Sequence, residues 1–332
     1  MKTGIYFYTM LNQWSFTYIF YKKSKLSALK IHIFDLLYRC KEQDMIKIDN
    51  LKVSYGDKKV LDIKEKLEFK DGEKIGIIGS NGAGKTTLIK AILGIIPFSG
   101  NIVTGIPRQE IAVHMQFNNY SESVSTRDII QMVANSKIEN DKSLSELIEF
   151  FDFKKLLKKS FKELSGGEKQ KLTLILVMWK DSPITMFDEV TTGLDFVTRQ
   201  MLMEKILDYY KGKSTSILLV SHYYEELENI CDKLLYIHKG RVLFFGSKKE
   251  MFNKYCTKSV ILTEDNDITN SLIGKEDRIA SMANKIAAGF DDSTREKDLI
   301  NKLVENDQNF ERLNESIELT VLNALSKEGY DE

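Results

Sequence analysis

Gly79-Ser80-Asn81-Gly82-Ala83-Gly84-Lys85-Thr86 fits the spacing GxxxxGK[ST], and it follows the apolar run Lys74 to Ile78 and precedes the helix-favouring run Thr87 to Leu93. The spacing has a physical reason. Glycines let the backbone wrap an anion with no Cβ in the way, so that successive N–H groups point at phosphate oxygens. The helix N-terminus adds partial positive charge, Lys85 can neutralise β- and γ-phosphates, and the Thr86 hydroxyl, with Thr87 behind it, can ligate magnesium. With glycine at roughly 7% of residues, a chance match in a chain this long is on the order of one in a hundred. The strand–loop–helix context therefore outweighs the bland alternative of a glycine-rich turn that binds nothing.

A nucleoside triphosphate site needs a second, carboxylate-bearing strand, and Ile184-Thr185-Met186-Phe187-Asp188-Glu189 supplies one. Asp188 ends the apolar run, where it can hold magnesium through water. At a strand end the chain turns, so Glu189 can also face the terminal phosphate and orient or deprotonate a water. An Asp-Glu pair alone is usually a solvated strand end; beside the cradle it becomes a strong signal.

Leu164-Ser165-Gly166-Gly167-Glu168 lies 20 residues before Ile184. Two glycines and a serine at a helix start aim N–H groups outward and make a second anion site. Leu172 to Trp179, apolar almost all round, reads as a buried helix. With this stretch the sequence resembles the ATP-binding cassette (ABC) ATPases, whose LSGG-type signature it matches. The remaining motifs follow the family order from about Met45 to Glu250. Tyr55 corresponds to the aromatic that stacks on adenine, Gln116 to the glutamine that senses magnesium and couples to the transport partner, and Asp195 to the loop aspartate that communicates across a dimer. His222 resembles the switch histidine that contacts the γ-phosphate. His114 reads as a strand residue, His238 as a surface one, and His32 belongs to the leader. Val190 replaces a frequent proline and Lys171 a frequent arginine; neither change removes a group that touches nucleotide in the family.

The resemblance implies an α/β fold: a P-loop NTPase ABC cassette with a RecA-like, mainly parallel sheet, an antiparallel β subdomain and a helical subdomain at about 117–165. It implies ATP and Mg2+ as ligands and ATP hydrolysis as the activity. Catalytic roles fall to Glu189, His222 and Gln116. Nucleotide contacts fall to Tyr55, Gly79 to Thr87, Ser165, Gly166, Gly167 and Asp195, and metal contacts to Thr86, Gln116 and Asp188. Cassettes of this family pair head to tail, each ATP held by one cradle and the opposite signature. This chain carries one of each, so it needs a second copy or a related subunit, with a homodimer the first expectation.

The motif-bearing stretch alternates strand-like and helical runs, as an α/β domain with a mainly parallel sheet does. Strands are expected at Lys74 to Ile78, Ile111 to Met115, Ile184 to Phe187, Ser216 to Val220 and Lys233 to Ile237. The three prolines fall in connections or at strand starts. Leu144, Leu147, Ile148, Phe151, Leu156 and Leu157 read mainly as core, with part of that surface left for a permease's coupling helix in the family's manner.

Two segments lie outside the resemblance. Residues 1–44 carry net charge +4, and Ile5 to Phe20 could form an interfacial amphipathic segment. The blander expectation is that the native protein begins at Met45, because Lys41 and Glu42 can be encoded by a purine-rich ribosome-binding tract. Residues 251–332 carry net −7 and are expected to be a helix-rich extension. There Phe310, Leu313, Ile317, Val321 and Leu325, at steps of three and four, predict an amphipathic helix that packs on the parent domain or on a partner.

The whole chain of 332 residues has 48 basic and 48 acidic side chains, so no global basic field argues for nucleic acid, and none is expected as a partner. Three widely spaced cysteines provide neither a disulfide framework nor a CxxC metal site and suit a reducing compartment. No apolar run reaches the ~18 residues of a spanning helix. A separately encoded integral-membrane permease is the expected partner, with the chain cytoplasmic and peripheral on the inner face of the cell membrane. Similarity of Phe187 to Asp195 and of Ser221 to Leu227 to exporter-type cassettes points to export of peptide, drug or lipid. An importer ATPase is the nearest rival. A soluble ribosome- or DNA-acting relative fits less well: only one cassette is present, and only 47 residues separate Gln116 from Leu164, too few for a long coiled coil.

Overall fold

The computed structural model describes residues 44–115 and 120–327. The leader expectations and the placement of Gln116 lie outside those residues. Alternating apolar positions build the first layer. Strand β1 (Asp44–Tyr55) turns Ile46, Ile48, Leu51 and Val53 inward, and it pairs antiparallel with β2 (Lys58–Ile63) and β3 (Leu67–Lys70). The central strand β4 (Lys74–Ile78) is followed by the glycine-rich loop and helix α1 (Lys85–Ile92); β5 (Ser99–Thr104) then returns to pair with β1. This is the expected antiparallel β subdomain.

Strand β6 (Ala112–His114) leads to helices α2 (Thr126–Ala134) and α3 (Lys142–Phe150), capped by Ser125 and Asp141, and to the long α4 (Gly166–Trp179). Leu144, Leu147, Ile148, Phe151 and Leu157 are buried, as expected of core, and Leu172 to Met178 of α4 are buried on every side. The chain continues through β7 (Ile184–Asp188), α5 (Phe196–Tyr210), β8 (Ser216–Val220), α6 (Tyr224–Ile230), β9 (Lys233–His238) and β10 (Arg241–Ser247). The second sheet runs β10-β9-β4-β8-β7-β6, parallel except for the β9–β10 hairpin. Near-continuous apolar strands such as Ser216–Val220, buried at every position, suit a sheet covered on both faces.

Register sets the function. Val220 is opposite both Ile77 of β4 and Asp188 of β7, so the loops leaving β4, β7 and β8 emerge side by side at one sheet edge.

Two expectations are corrected here. His238 is buried rather than on the surface, because the turn after it tucks under the phosphate loop: Gly240 N–H donates to Ala83 O at 3.1 Å, and Gly240 O accepts from Asp62 N–H at 2.8 Å. The extension after residue 250 has its helices, α7 (Lys248–Tyr255), α8 (Asp267–Leu272), α9 (Ser293–Glu305) and α10 (Ile317–Lys327). They flank a four-stranded antiparallel sheet that the sequence reading did not find: β12 (Arg278–Ile279), β13 (Lys285–Phe290), β11 (Ser259–Glu264) and β14 (Phe310–Leu313), in that spatial order. Phe310 and Leu313 therefore belong to an edge strand rather than to the final helix. Ile317, Val321 and Ala324 of α10 do pack into the core that α6 and α7 share, so the amphipathic face meets the parent domain.

Candidate functional site

At the sheet edge the glycine-rich loop folds back over the end of β4. Lys85 is buried, and its ammonium donates to Gly79 O at 2.7 Å and to Ser80 O at 3.1 Å. Gly79 holds φ +152°, and a Cβ there would stand 2.1 Å from Ile237 O; Gly84 holds φ +109° with a Cβ 2.5 Å from Leu61 Cδ2. Neither position admits a side chain. Helix α1 starts with no side-chain cap and no acidic residue in its first turn, which also carries Thr86 and Thr87. Its N-terminal charge is therefore left for an anion. Burial lowers the Lys85 pKa, while Glu189 and Asp188 draw it back up.

Across the loop, Asp188 ends β7 with its carboxylate buried and neither oxygen in a well-formed hydrogen bond. Burial raises its pKa; the facing Thr86 hydroxyl opposes this, Glu189 adds to it, and Lys85 and Lys90 lower it. A buried carboxylate faced by a single hydroxyl and flanked by a second carboxylate is under-compensated, and a divalent cation would supply the missing charge. No cluster of three or more His, Cys, Asp or Glu side chains among the described residues could cage a metal. The Asp188 carboxylate and the Thr86 hydroxyl are the groups placed to hold such a cation.

Glu189 adopts φ +53°, an uncommon left-handed conformation that turns the chain where the strand stops. Its N–H donates to Val220 O at 3.0 Å, and its Oε1 lies 2.8 Å from His222 Nε2. With Glu189 ionised, the tautomer carrying the proton on Nε2 makes that contact a donor–acceptor pair. Thr192 donates to the other oxygen at 3.4 Å.

A second group of residues forms around the start of α4. Ser165 is its N-cap: Ser165 Oγ accepts from Glu168 N–H at 3.3 Å, and Glu168 Oε2 accepts from Ser165 N–H at 2.8 Å. That backbone bond from Ser165, with Lys159 at 3.0 Å adding to it, keeps the Glu168 carboxyl below its usual range. Gly166 and Gly167 lie against Leu194 and Thr198; a Cβ on Gly167 would come within 2.9 Å of Thr198 Cγ2. Asp195 caps α5, accepting from Thr198 N–H at 3.0 Å and Thr198 Oγ1 at 2.7 Å. Signature and aspartate loop are thus one packed unit. Tyr55, at the end of β1, is 49% exposed and free to stack.

The chain is similar to several known proteins. The family model for ABC transporters matches residues 64–192. The Nod factor export ATP-binding protein I of Rhizobium sp. (strain N33) is 32% identical over 232 residues, 65% of this chain and 75% of that protein. The tungstate uptake system ATP-binding protein TupC of Peptoclostridium acidaminophilum is 31% identical over 206 residues, 59% of this chain and 96% of that protein. Among solved structures, an ATP-binding subunit of an ABC transporter superposes with TM-score 0.58 at 26% identity, covering 64% of this chain and 93% of that one. CbiO1 from Clostridium perfringens gives 0.56 at 25%, covering 64% and 92%.

The chain belongs to the ABC transporter ATP-binding proteins.

In this ABC ATP-binding subunit the sequence-predicted residues fall into two sets. Lys85, Thr86, Asp188, Glu189 and His222 converge at the mouth of the glycine-rich loop. Ser165, Gly166, Gly167 and Asp195 gather on the α4–α5 side. Family membership carries ATP binding and, in general, ATPase activity. No helix among the described residues is long and apolar enough to cross a membrane. One buried carboxylate beside the site escaped the sequence reading: Glu226, which accepts from Ser221 Oγ at 2.6 Å and Thr191 Oγ1 at 2.7 Å. It sits in Tyr224-Glu225-Glu226-Leu227-Glu228, where acidic residues read as a solvated helix face. Only the packing of α6 against the strand ends buries it.

Proposed function

We propose that this chain is the energy-coupling ATPase of an exporter, pairing with a second copy around ATP to drive a separately encoded membrane permease from the cytoplasmic face. The observation that carries the catalytic reading is the 2.8 Å contact between Glu189 and His222 at the mouth of a glycine-rich loop whose lysine is buried. Magnesium, when bound, would offset the negative charge of the phosphates. Asp188 and the Thr86 hydroxyl are the groups to hold it. Lys85, now donating to Gly79 and Ser80 carbonyls, exchanges those neutral acceptors for phosphate oxygens. Glu189 accepts a proton from the attacking water, and His222 keeps that carboxylate aimed.

The outward-facing Ser165-Gly166-Gly167 helix start, set on Asp195 and Thr198, supports a role at the partner's nucleotide. Export is favoured by the Nod factor export relatives, which align over most of their length; the tungstate uptake relative makes import the alternative reading. Either direction uses the same hydrolytic site.

Glu189→Gln should bind ATP and accumulate as a dimer on size-exclusion chromatography, with turnover reduced on the order of 10²- to 10⁴-fold. Lys85→Ala should lose ATP binding. Wild-type turnover in Glu189→Gln would remove Glu189 from the base role. Purification from detergent-solubilised membranes should retain a polytopic partner; recovery of ribosomal proteins or DNA in its place would overturn the transport reading.

A further inference from the structure

We propose that Glu226 is a positioning residue for hydrolysis, a clamp that ties the loop carrying Glu189 to the loop carrying His222 and so preserves their contact. The inference rests on the reading of those two side chains as the catalytic pair.

Glu226 is 4% exposed, and each of its oxygens takes one hydroxyl. Oε1 accepts from Thr191 at 2.7 Å, and Oε2 accepts from Ser221 at 2.6 Å. Thr191 lies two residues beyond Glu189; Ser221 immediately precedes His222. Ser221 Oγ also accepts from Tyr223 N–H at 2.9 Å, so the backbone is pinned on both sides of the histidine. Toward Asp195, Leu194 N–H donates to Thr191 O at 3.2 Å, which ties the aspartate loop to the same anchor.

Arg199 of α5 completes the arrangement. Its guanidinium lies 3.7 Å over the Tyr223 ring, and its Nε is 3.9 Å from Glu226 Oε1. Burial raises the Glu226 pKa, and the Ser221 and Thr191 hydroxyls, then Arg199, oppose that shift, while Glu225 adds to it. A buried acid held by two hydroxyls beside a cation is costly to remove: its loss leaves the Thr191 and Ser221 hydroxyls without their acceptor and takes one of two carboxylates from Arg199. The loops can then move apart independently, and a displacement of about 1 Å between base and histidine is enough to cost on the order of a hundredfold in rate.

The test is steady-state ATPase kinetics on the full-length chain. Glu226→Ala should lower kcat on the order of ten- to a hundredfold with KM for ATP within about twofold. Glu226→Gln should recover most of the loss, because the amide keeps the shape and one hydroxyl can reverse from donor to acceptor. Glu226→Ala combined with His222→Ala should be no slower than His222→Ala alone. Wild-type kcat in Glu226→Ala, or losses that multiply in the double variant, would overturn the clamp. If Glu226→Ala does not fold, Thr191→Val cuts one of its bonds, and Ser221→Ala cuts the other together with the Tyr223 N–H bond, both at nearly constant volume; both turning over as wild type would also overturn it. A slow His222→Ala beside a fast Glu226→Ala removes only the clamp, whereas a wild-type rate in His222→Ala removes the catalytic pair and the clamp together.

Discussion

His114 shows how a single buried group ties this cassette's stability to pH. It ends β6, is fully buried, and has its imidazole pKa pushed down to about 4 by burial, with Gln170 opposing weakly. An unfolded chain would titrate it near its ordinary value of about 6.5, so between those values the unfolded state binds more protons than the folded one. Stability from this residue is therefore fully present above pH ~6.5 and is lost as pH falls toward 4, by roughly 3 kcal/mol in all. Urea unfolding of His114→Gln at a series of pH values should give a curve visibly flatter than wild type between pH 4 and 6.5. Parallel curves would show that the imidazole is not kept neutral by its surroundings. The same residue illustrates what sequence can and cannot provide. Its strand was legible from Ile111 to Met115, but the cost of burying it depends on α4, whose Gln170 lies 56 residues further along the chain and is invisible to any local pattern.

At the scale of elements, the motifs were legible because each is a terminus with its own chemistry. The loop before α1, the cap of α4, the end of β7 and the cap of α5 are all marked by glycine, serine or aspartate at a helix or strand end. The strands Lys74–Ile78 and Ser216–Val220 have the limits expected from their apolar runs. Strands β13 and β14 escaped for the opposite reason, whereas Val260-Ile261-Leu262 of β11 is an apolar run as legible as those of the catalytic sheet. Lys285–Phe290 passes through Ala287-Ala288-Gly289, which has little strand propensity, and Phe310–Leu313 is too short to show alternation. Phe310 and Leu313, three apart, fit a helix as well as a strand, and only pairing with β11 decides between them. Asp195 permits a direct test of termini as functional parts. Asp195→Ala removes both Thr198 bonds and should cost about 1 kcal/mol in denaturant unfolding, while Asp195→Asn should cost little. ATPase assays on the same proteins then separate cap from charge: if Asn restores stability but not turnover, the carboxylate acts beyond its own helix. If Ala is as stable as wild type, the cap contributes nothing to α5.

On the scale of the whole molecule, the acidic extension shares contacts with α6 of the catalytic half. Glu228 of α6 accepts from Ile317 N–H at 2.8 Å, and Lys248 both donates to Glu228 O at 2.7 Å and pairs with Glu315 at 3.2 Å. Ile317 is 2% exposed in the same apolar cluster as Leu227 and Ile230, and α6 begins two residues after His222. The helix that carries Glu226 is therefore covered on one side by the strand ends and on the other by α10. The fold of the tail and the order of the switch loop then depend on a common set of contacts. Ile317→Asp places a charge in that cluster and should destabilise the chain by roughly 3 kcal/mol or more. Hydrogen exchange should show the loss as faster exchange in α6 together with α10, because the two helices lose the same neighbours. Faster exchange confined to α10, with α6 as protected as in wild type, would mean that the cassette holds its switch helix without the tail and that the extension is an independent attachment.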